Sequence, residues 1–317
     1  MLQKNKLVII TKKYLFFIAI SFAVYQIYTN HNILIDRFNS NWTIFLKLII
    51  AHTFFHYLYS IRSFFIIRNS FSNLIRYFEW NKNYFKSILI QETIVSYTGF
   101  LYRSIYLNKI GLSIKDLILL FYFGLSSYLF VNLSIIYFEI IFILDYEILK
   151  KLLVFFVIFS LGFTILFFPV ILNISIKFFR NFLSQKYVIN FFNYSSDSIG
   201  KYWDLIKNKN NLIYIFLFGI FIHVFEISLL YFSSSFFSIN LEVATLILLF
   251  AISVFSDRIP FLSSIPLINE ILFGYVSTIV GFDFHEGFLI KTLLRLSSIF
   301  SLSINLIVNE IFSKKSY

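Results

Sequence analysis

Apolar stretches about as long as a bilayer is thick dominate this sequence and limit what it can fold into. Of its 317 residues, 59% are hydrophobic and only 14% are charged. One soluble core cannot hide that much apolar surface, so lipid must solvate most of the chain. Stretches long enough to cross about 30 Å of hydrocarbon lie near 14–28, 43–67, 116–138, 151–175, 211–232, 241–256 and 288–312.

Two further apolar stretches, about 86–108 and 259–281, are interrupted by charged residues or prolines. Irregular backbone at membrane depth is tolerated only inside protein or beside a water-filled cavity. We therefore predict an all-α polytopic integral membrane protein. It has about seven to eight transmembrane helices and one or two re-entrant or broken helices, and the sequence leaves open whether these two stretches span the membrane or re-enter it.

The distribution of charge predicts the orientation. The net charge is +11, and the basic residues alternate along the chain with acidic stretches, which is the positive-inside pattern. The N-terminus, 68–86 and 177–209 are predicted to be cytoplasmic, with 29–41 and 139–149 on the outer side of the plasma (inner) membrane. Lys314 and Lys315 favour a cytoplasmic C-terminus. A nucleic-acid partner is not expected.

The chain is predicted to form a single membrane domain, 1–317, with a first half of about 1–140 and a second of about 150–317. Region 177–209 between the long helices mixes aromatic and basic residues. It fits a basic amphipathic helix at the cytoplasmic interface and equally a solvated linker. The sequence does not give the oligomeric state.

Short similar segments in the two halves suggest a two-fold internal repeat. Segments 110–116 and 280–286 each follow an interrupted stretch and precede a long apolar helix. Each has a Gly for a backbone reversal and then a capping box, Ser113 with Asp116 in one and Asp283 with Glu286 in the other. Paired interrupted segments indicate a transporter-type site at a repeat interface.

Charged residues at membrane depth are the candidate site. Ionisable groups there are functional-site hypotheses by default, and a guanidinium suits a lipid phosphate or a carboxylate. The alternative is a static ion pair, such as Glu270 with Arg295 or Glu92 with Arg103. The predicted headgroup-binding residues are Arg103, Arg258, Glu270 and Arg295, supported by Glu92, Asp257, His223 and Glu226.

Other polar residues receive structural interpretations. His223 and Glu226 share a helix face, where proton movement and a satisfied polar contact are both open. His52 and His56 are spaced as helical metal ligands often are, but with few other ligands nearby we expect an interfacial or packing role. We expect Arg62 to snorkel at the cytoplasmic end of its helix.

Missing motifs argue against several enzyme classes. The chain has no cysteine, no G-x-S-x-G nucleophile elbow, no D-x-x-x-D pair and no glycine-rich phosphate loop. We therefore predict no catalytic residue, no metal and no cofactor.

Two stretches resemble a known family. Residues 99–107 and 111–113 are similar to the "G-E-x-x-R-a-x-x-L … G-x-S" signature of the lysylphosphatidylglycerol synthase transmembrane (flippase-like) family. Residues 259–270, then Gly281 and 293–295, resemble its "I-P-x-x-P-G-G-x-G-x-x-E … G … L-L-x-R" signature. The resemblance places Arg103, Glu270 and Arg295 at the family's polar positions. The chain departs from the family at Phe100, where the family has an acid, and at Ser263, Ser264, Ile265 and Leu267, where it has Pro and Gly.

The resemblance implies a membrane domain that moves aminoacylated or glycosylated lipids between leaflets, here as a divergent stand-alone member without the soluble synthase domain. We expect a flippase-like protein that binds or translocates an anionic or glycosylated lipid between two broken helices. The second hypothesis is a non-transporting membrane partner of a glycosyltransferase or other lipid-modifying enzyme, docked through 177–209. The third is an intramembrane lipid transferase. The sequence names neither the lipid nor the direction and energy source of transport.

Overall fold

The described part of the chain is helical throughout. The computed structural model describes residues 31–70, 75–93, 96–143, 201–256, 267–279 and 281–313, together with Ser21, Tyr25, Tyr28 and Thr29, and these ranges contain no strand. Residues 201–207 are helical. The other helices, in chain order, are α1 (His31–Ser70), α2 (Tyr77–Thr93), α3 (Ser96–Lys109), α4 (Ile114–Ile143), α5 (Lys209–Phe236), α6 (Val243–Ser256), α7 (Ile268–Ile279) and α8 (Phe284–Ser313).

Three of the described helices have the length and composition of membrane spans. They coincide with the apolar stretches predicted near 43–67, 211–232 and 288–312, so these three predictions of long apolar helices are confirmed. The all-helical fold class is confirmed with them. The three are His31–Ser70, Lys209–Phe236 and Phe284–Ile311.

The remaining predicted spans have different outcomes. The stretch 116–138 lies in α4, where Tyr122–Ile135 is a shorter apolar helix. The stretch 241–256 lies in the 14-residue α6. The stretches near 14–28 and 151–175 fall outside the continuous described ranges. A total of seven to eight spans therefore stays a prediction.

From Ser297 onward, helix α8 buries serines and asparagines and exposes most of its large apolar residues. Ser297 and Ser301 are fully buried, whereas Phe300 is 52% exposed and Ile307 is 60% exposed. The buried polar stripe continues to Asn309. A helix at the surface of a soluble protein has the opposite arrangement. The inversion is what a lipid solvent requires, and it supports a membrane-embedded α8 independently of its length.

The stretch 86–108 is broken, as predicted. Helix α2 ends at Thr93 and α3 begins at Ser96. The Tyr102 hydroxyl donates to Asn83 Oδ1 at 3.3 Å, so the chain turns back and α3 runs antiparallel to α2. Whether this turn lies within the bilayer stays a prediction.

The two similar segments form the same turn. Gly111 has φ +97° and Gly281 has φ +90°. In the first segment Leu112 N donates to Leu107 O at 3.1 Å, and in the second Phe282 N donates to Ser277 O at 3.0 Å. These bonds define a Schellman motif, whose left-handed residue is usually glycine because a Cβ is unfavourable there.

One of the two bonds of the predicted capping box follows each turn, and it is a different one in each segment. Ser113 Oγ accepts from Asp116 N at 3.3 Å, and Asp283 N donates to a Glu286 carboxylate oxygen at 3.3 Å. Each bond satisfies one backbone donor in a stretch of chain where a new helix begins. The likeness of the two segments therefore extends to the geometry of their glycine turns. A repeat of the whole halves stays a prediction.

The described contacts divide the chain into two compact units. Unit 1 draws on Met1–Tyr57, Lys82–Arg103 and Val224–Tyr317, and unit 2 on Leu58–Asn81 and Ser104–His223. Because both units combine separated parts of the chain, the division into sequence halves stays a prediction. The core of unit 2 consists of Ile66, Leu119, Phe123, Val131, Tyr202, Leu205, Ile206 and Ile215.

The close packing of α3 on α2 predicts that alanine substitutions at Gly99 and at Gly124 have opposite effects on the free energy of unfolding. A Cβ at Gly99 would collide with the Ser87 carbonyl oxygen and lie 2.8 Å from Gln91 Cβ, whereas a Cβ at Gly124 meets nothing within 4 Å. We expect Gly99→Ala to lower the free energy of unfolding by about 1–3 kcal/mol through overpacking. Gly124→Ala is the control and should raise it by up to about 1 kcal/mol. Thermal unfolding in detergent micelles measures both, and equal changes would contradict the packing.

Candidate functional site

Arg295 of α8 connects the ends of two other helices in unit 1. Its Nη1 donates to Glu270 Oε1 of α7 at 2.8 Å. Its Nε and Nη2 both donate to the backbone oxygen of Glu92 in α2, at 2.8 and 2.6 Å. The Glu92 carboxylate lies 3.8 Å from Arg295 Nε. We call these three residues the Arg295 cluster.

The interruptions in the sequence explain why the cluster forms here. Glu92 is in the last turn of α2, where unpaired carbonyl groups and the helix dipole favour a cation. Glu270 is in the first turn of α7, where the dipole favours an anion. Leu267, just before α7, has φ +62° and redirects the chain into it. Arg295 and Glu270 therefore each meet a helix end of opposite sign as well as an opposite charge.

Glu270 retains one unused acceptor. The side chain is 3% exposed, and its Oε2 is buried without a hydrogen-bond partner in the described part of the chain. A buried charged acceptor without a donor is costly. Three nitrogens of Arg295 therefore have acceptors in the cluster. The second carboxylate oxygen of Glu270 has no donor among the described residues.

Lys291 lies one turn before Arg295, and our sequence analysis missed it. Its Nζ donates to Ser253 Oγ of α6 at 2.8 Å and lies 5.8 Å from the centre of the Phe273 ring. The signal was present, because two cations four residues apart share one face of an apolar helix.

Arg103 lies on the hairpin of α2 and α3. Its guanidinium carbon is 5.5 Å from the centre of the Tyr84 ring. Tyr84 precedes Glu92 by about 12 Å of helix at 1.5 Å per residue. The structure thus brings Glu92, Glu270 and Arg295 together. The pairing of Glu270 with Arg295 was one of the alternatives proposed from the sequence. Arg103 instead has an aromatic contact further along α2.

The other candidates have separate outcomes. His223 is 2% exposed, and its Nδ1 is 2.8 Å from Asn132 Oδ1 within unit 2, so it makes the satisfied polar contact that was one of the two interpretations. Glu226 follows it on α5 and is partly buried. Asp257 and Arg258 lie outside the described residues, as do 177–200 and 259–266.

Histidines of α1 and serines of α8 form a polar seam in unit 1. His52 Nδ1 is 3.0 Å from Ser297 Oγ and 3.2 Å from Leu48 O. His56 Nε2 is 2.9 Å from Ser298 Oγ. Both histidines are buried and hydrogen-bonded between helices. This agrees with the packing role expected for them.

Comparison of the chain with family models, with curated proteins and with solved structures gives no match. The coarse class therefore rests on the structure, which is all-helical and has helices able to cross a membrane. The resemblance to the flippase-like family stays a prediction.

The Arg295 cluster predicts that Arg295 and Glu270 are strongly coupled in their effect on the free energy of unfolding. Arg295→Met leaves Glu270 buried without its cation, and we expect the free energy of unfolding to fall by about 3–5 kcal/mol. Adding Glu270→Gln should recover a large part, because a neutral amide tolerates burial better. A double-mutant cycle measured by unfolding in detergent gives the coupling.

A surface ion pair provides the control. Lys82 Nζ and Glu310 Oε1 are 3.3 Å apart, with 34% and 53% of the side chains exposed. Such pairs contribute about 0–1 kcal/mol, so Lys82→Met should have little effect. If Arg295→Met costs no more than Lys82→Met, the cluster is not the support described here.

Proposed function

We propose that this chain is a flippase-like integral membrane protein that binds a lipid headgroup beside the Arg295 cluster and carries it between leaflets. The observation that carries the proposal is the buried Oε2 of Glu270, which has no hydrogen-bond partner among the described residues. It lies next to α8, a helix that exposes an apolar face. Ionisable groups retained at such depth commonly mark a substrate path.

The hydrogen bonds of Arg295 favour a ligand that donates hydrogen bonds over a phosphate at this cluster. Nε, Nη1 and Nη2 each donate to Glu92 or Glu270 already. Arg295 therefore positions Glu270 and has little capacity left for a phosphate. Glu270 Oε2 accepts hydrogen bonds only, which favours a headgroup that donates them. Among the expected lipids, a glycosylated one fits this oxygen best, because its sugar hydroxyls are donors.

The phosphate of such a lipid requires a separate cation. Of the arginines assigned to this role from sequence, Arg103 has an aromatic contact at Tyr84, and Arg258 lies outside the described residues. We assign phosphate binding to these two, with Arg295 as the residue that holds Glu270. This division of roles refines the sequence-based proposal.

The membrane topology belongs to the same proposal. We propose seven to eight spans from the apolar stretches of the sequence, in a plasma (inner) membrane, with a cytoplasmic N-terminus from the alternation of charge. The three apolar helices support crossing. The turn between α2 and α3 supports a re-entrant hairpin for 86–108.

The scaffold hypothesis is less well supported in the described part of 177–209. Lys201 Nζ is 2.8 Å from Asp116 Oδ1, and Lys207 Nζ lies 5.3 Å from the centre of the Trp203 ring. Tyr202 is fully buried in the core of unit 2. These basic and aromatic residues contact their own chain, which favours an intramolecular role over partner docking for 201–207.

Lipid movement in reconstituted vesicles tests the proposal. The vesicles contain phosphatidylethanolamine and phosphatidylglycerol with a fluorescent glucosyl diacylglycerol, and a membrane-impermeant quencher reports its transfer between leaflets. Glu270→Gln replaces the free acceptor oxygen with an amide donor, while its remaining oxygen can still accept from Arg295. We expect transfer to fall about tenfold, because a hydrogen bond to a charged group contributes about 1.5–3 kcal/mol.

Matched variants make the outcome specific. Glu310→Gln removes a carboxylate that is 53% exposed on the same helix as Arg295, so it should leave transfer unchanged. Transfer of fluorescent phosphatidylglycerol, compared with transfer of the glucosyl lipid, measures the preference of the protein for a sugar headgroup. The proposed mechanism is wrong if Arg295→Ala reaches normal membrane abundance and still transfers lipid at the wild-type rate.

A further inference from the structure

Arg62 of α1 is a buried cation without an acid beside it among the described residues. The residue is 4% exposed. Its Nε and Nη1 are buried, and neither has a hydrogen-bond partner in the part of the chain that the structure describes. The expectation that Arg62 snorkels to water is therefore wrong. The helix carries its guanidinium into unit 2 and not out along the surface.

The surroundings of Arg62 compensate its charge only in part. The guanidinium carbon lies 4.9 Å from the centre of the Tyr59 ring, and that ring is 6.0 Å from the ring of Tyr128. An aromatic face attracts a cation weakly compared with the desolvation that burial imposes. Two buried nitrogens of Arg62, Nε and Nη1, are thus left without acceptors among the described residues.

Arginine cannot relieve this situation by losing its proton. Lysine or histidine buried in this way would become neutral, but a guanidinium stays charged at any accessible pH. A buried cation then needs an anion, and a planar guanidinium matches an oxyanion such as phosphate. The described residues supply no such anion to the Nε and Nη1 atoms of Arg62.

We propose that Arg62, with the Tyr59 ring beside it, is a binding site for a phosphate oxyanion. Arg62 lies about 12 Å before the C-terminal end of α1, at 1.5 Å per residue. This end carries Arg68, which is exposed and 5.9 Å from the Phe64 ring. The oxyanion is a lipid phosphate or free inorganic phosphate, and the site is separate from the Arg295 cluster.

Thermal unfolding of the full chain in detergent micelles tests the site. Delipidated protein is measured alone, with dioleoylphosphatidylglycerol, with phosphate-free dioleoylglycerol and with inorganic phosphate, at matched ionic strength. A ligand that binds only the folded state raises the melting temperature, and we expect a rise of about 5 °C with a phosphate-bearing ligand. Stabilisation by the phospholipid alone identifies a lipid phosphate, and stabilisation by inorganic phosphate identifies a free anion.

Three variants connect the effect to Arg62. Arg62→Met removes the charge at similar volume and should abolish the rise, while the delipidated variant melts no lower than delipidated wild type. Arg68→Met removes an exposed arginine from the same helix and should keep the rise. Arg62→Lys keeps the charge without the planar fork and should reduce the rise, which provides the test if Arg62→Met does not fold.

Two results would overturn the proposal. The first is a wild-type melting temperature that responds equally to dioleoylglycerol and to the phospholipid and not at all to inorganic phosphate. The second is a full response to phosphate in Arg62→Met, or in Arg62→Lys where Arg62→Met fails to fold. In either case no oxyanion is bound at Arg62.

Discussion

The contact between Arg295 and the two helix ends is the interaction on which unit 1 depends most. A helix that ends at membrane depth leaves carbonyl or amide groups that lipid cannot satisfy. Arg295 donates twice to the Glu92 carbonyl at the end of α2 and once to Glu270 at the start of α7. One side chain thus satisfies a backbone acceptor and balances a buried carboxylate, which makes the two interruptions compatible with an apolar surrounding.

The need of polar groups for partners in lipid also explains which side chains of α8 are buried. With lipid as the solvent, polar side chains find partners in their own helix or between helices, and Ser297, Ser298 and Ser301 of α8 turn toward α1. His52 and His56 meet Ser297 and Ser298 there, while Phe300 and other large apolar side chains are exposed. Polar contacts in this protein therefore have the role that apolar contacts have in a soluble core, since they distinguish the inner face of a helix from its outer face.

The sequence predicted those features whose causes are local. The Gly111 and Gly281 turns, each with one bond of the capping box, follow from residues within seven positions of each other, and the pairing of Glu270 with Arg295 was one of two stated alternatives. The role of Glu92 was missed in part, because its backbone oxygen and not only its carboxylate contacts Arg295. The burial of Arg62 was predicted wrongly, because distance from a helix end does not show whether neighbouring helices cover a side chain.

Arg62 and Arg295 show that the acceptors around an arginine, and not its charge, decide its role. Arg295 has carbonyl and carboxylate oxygens within 2.8 Å on three of its nitrogens, so its hydrogen bonds hold the protein together and leave the open acceptor on Glu270. Arg62 has an aromatic face and buried nitrogens without acceptors in the described chain, which is why we propose that a ligand supplies the oxygen. Because arginine remains protonated in both places, the difference lies in what surrounds it. In these proposals a residue of one type holds a carboxylate in unit 1 and binds an oxyanion in unit 2.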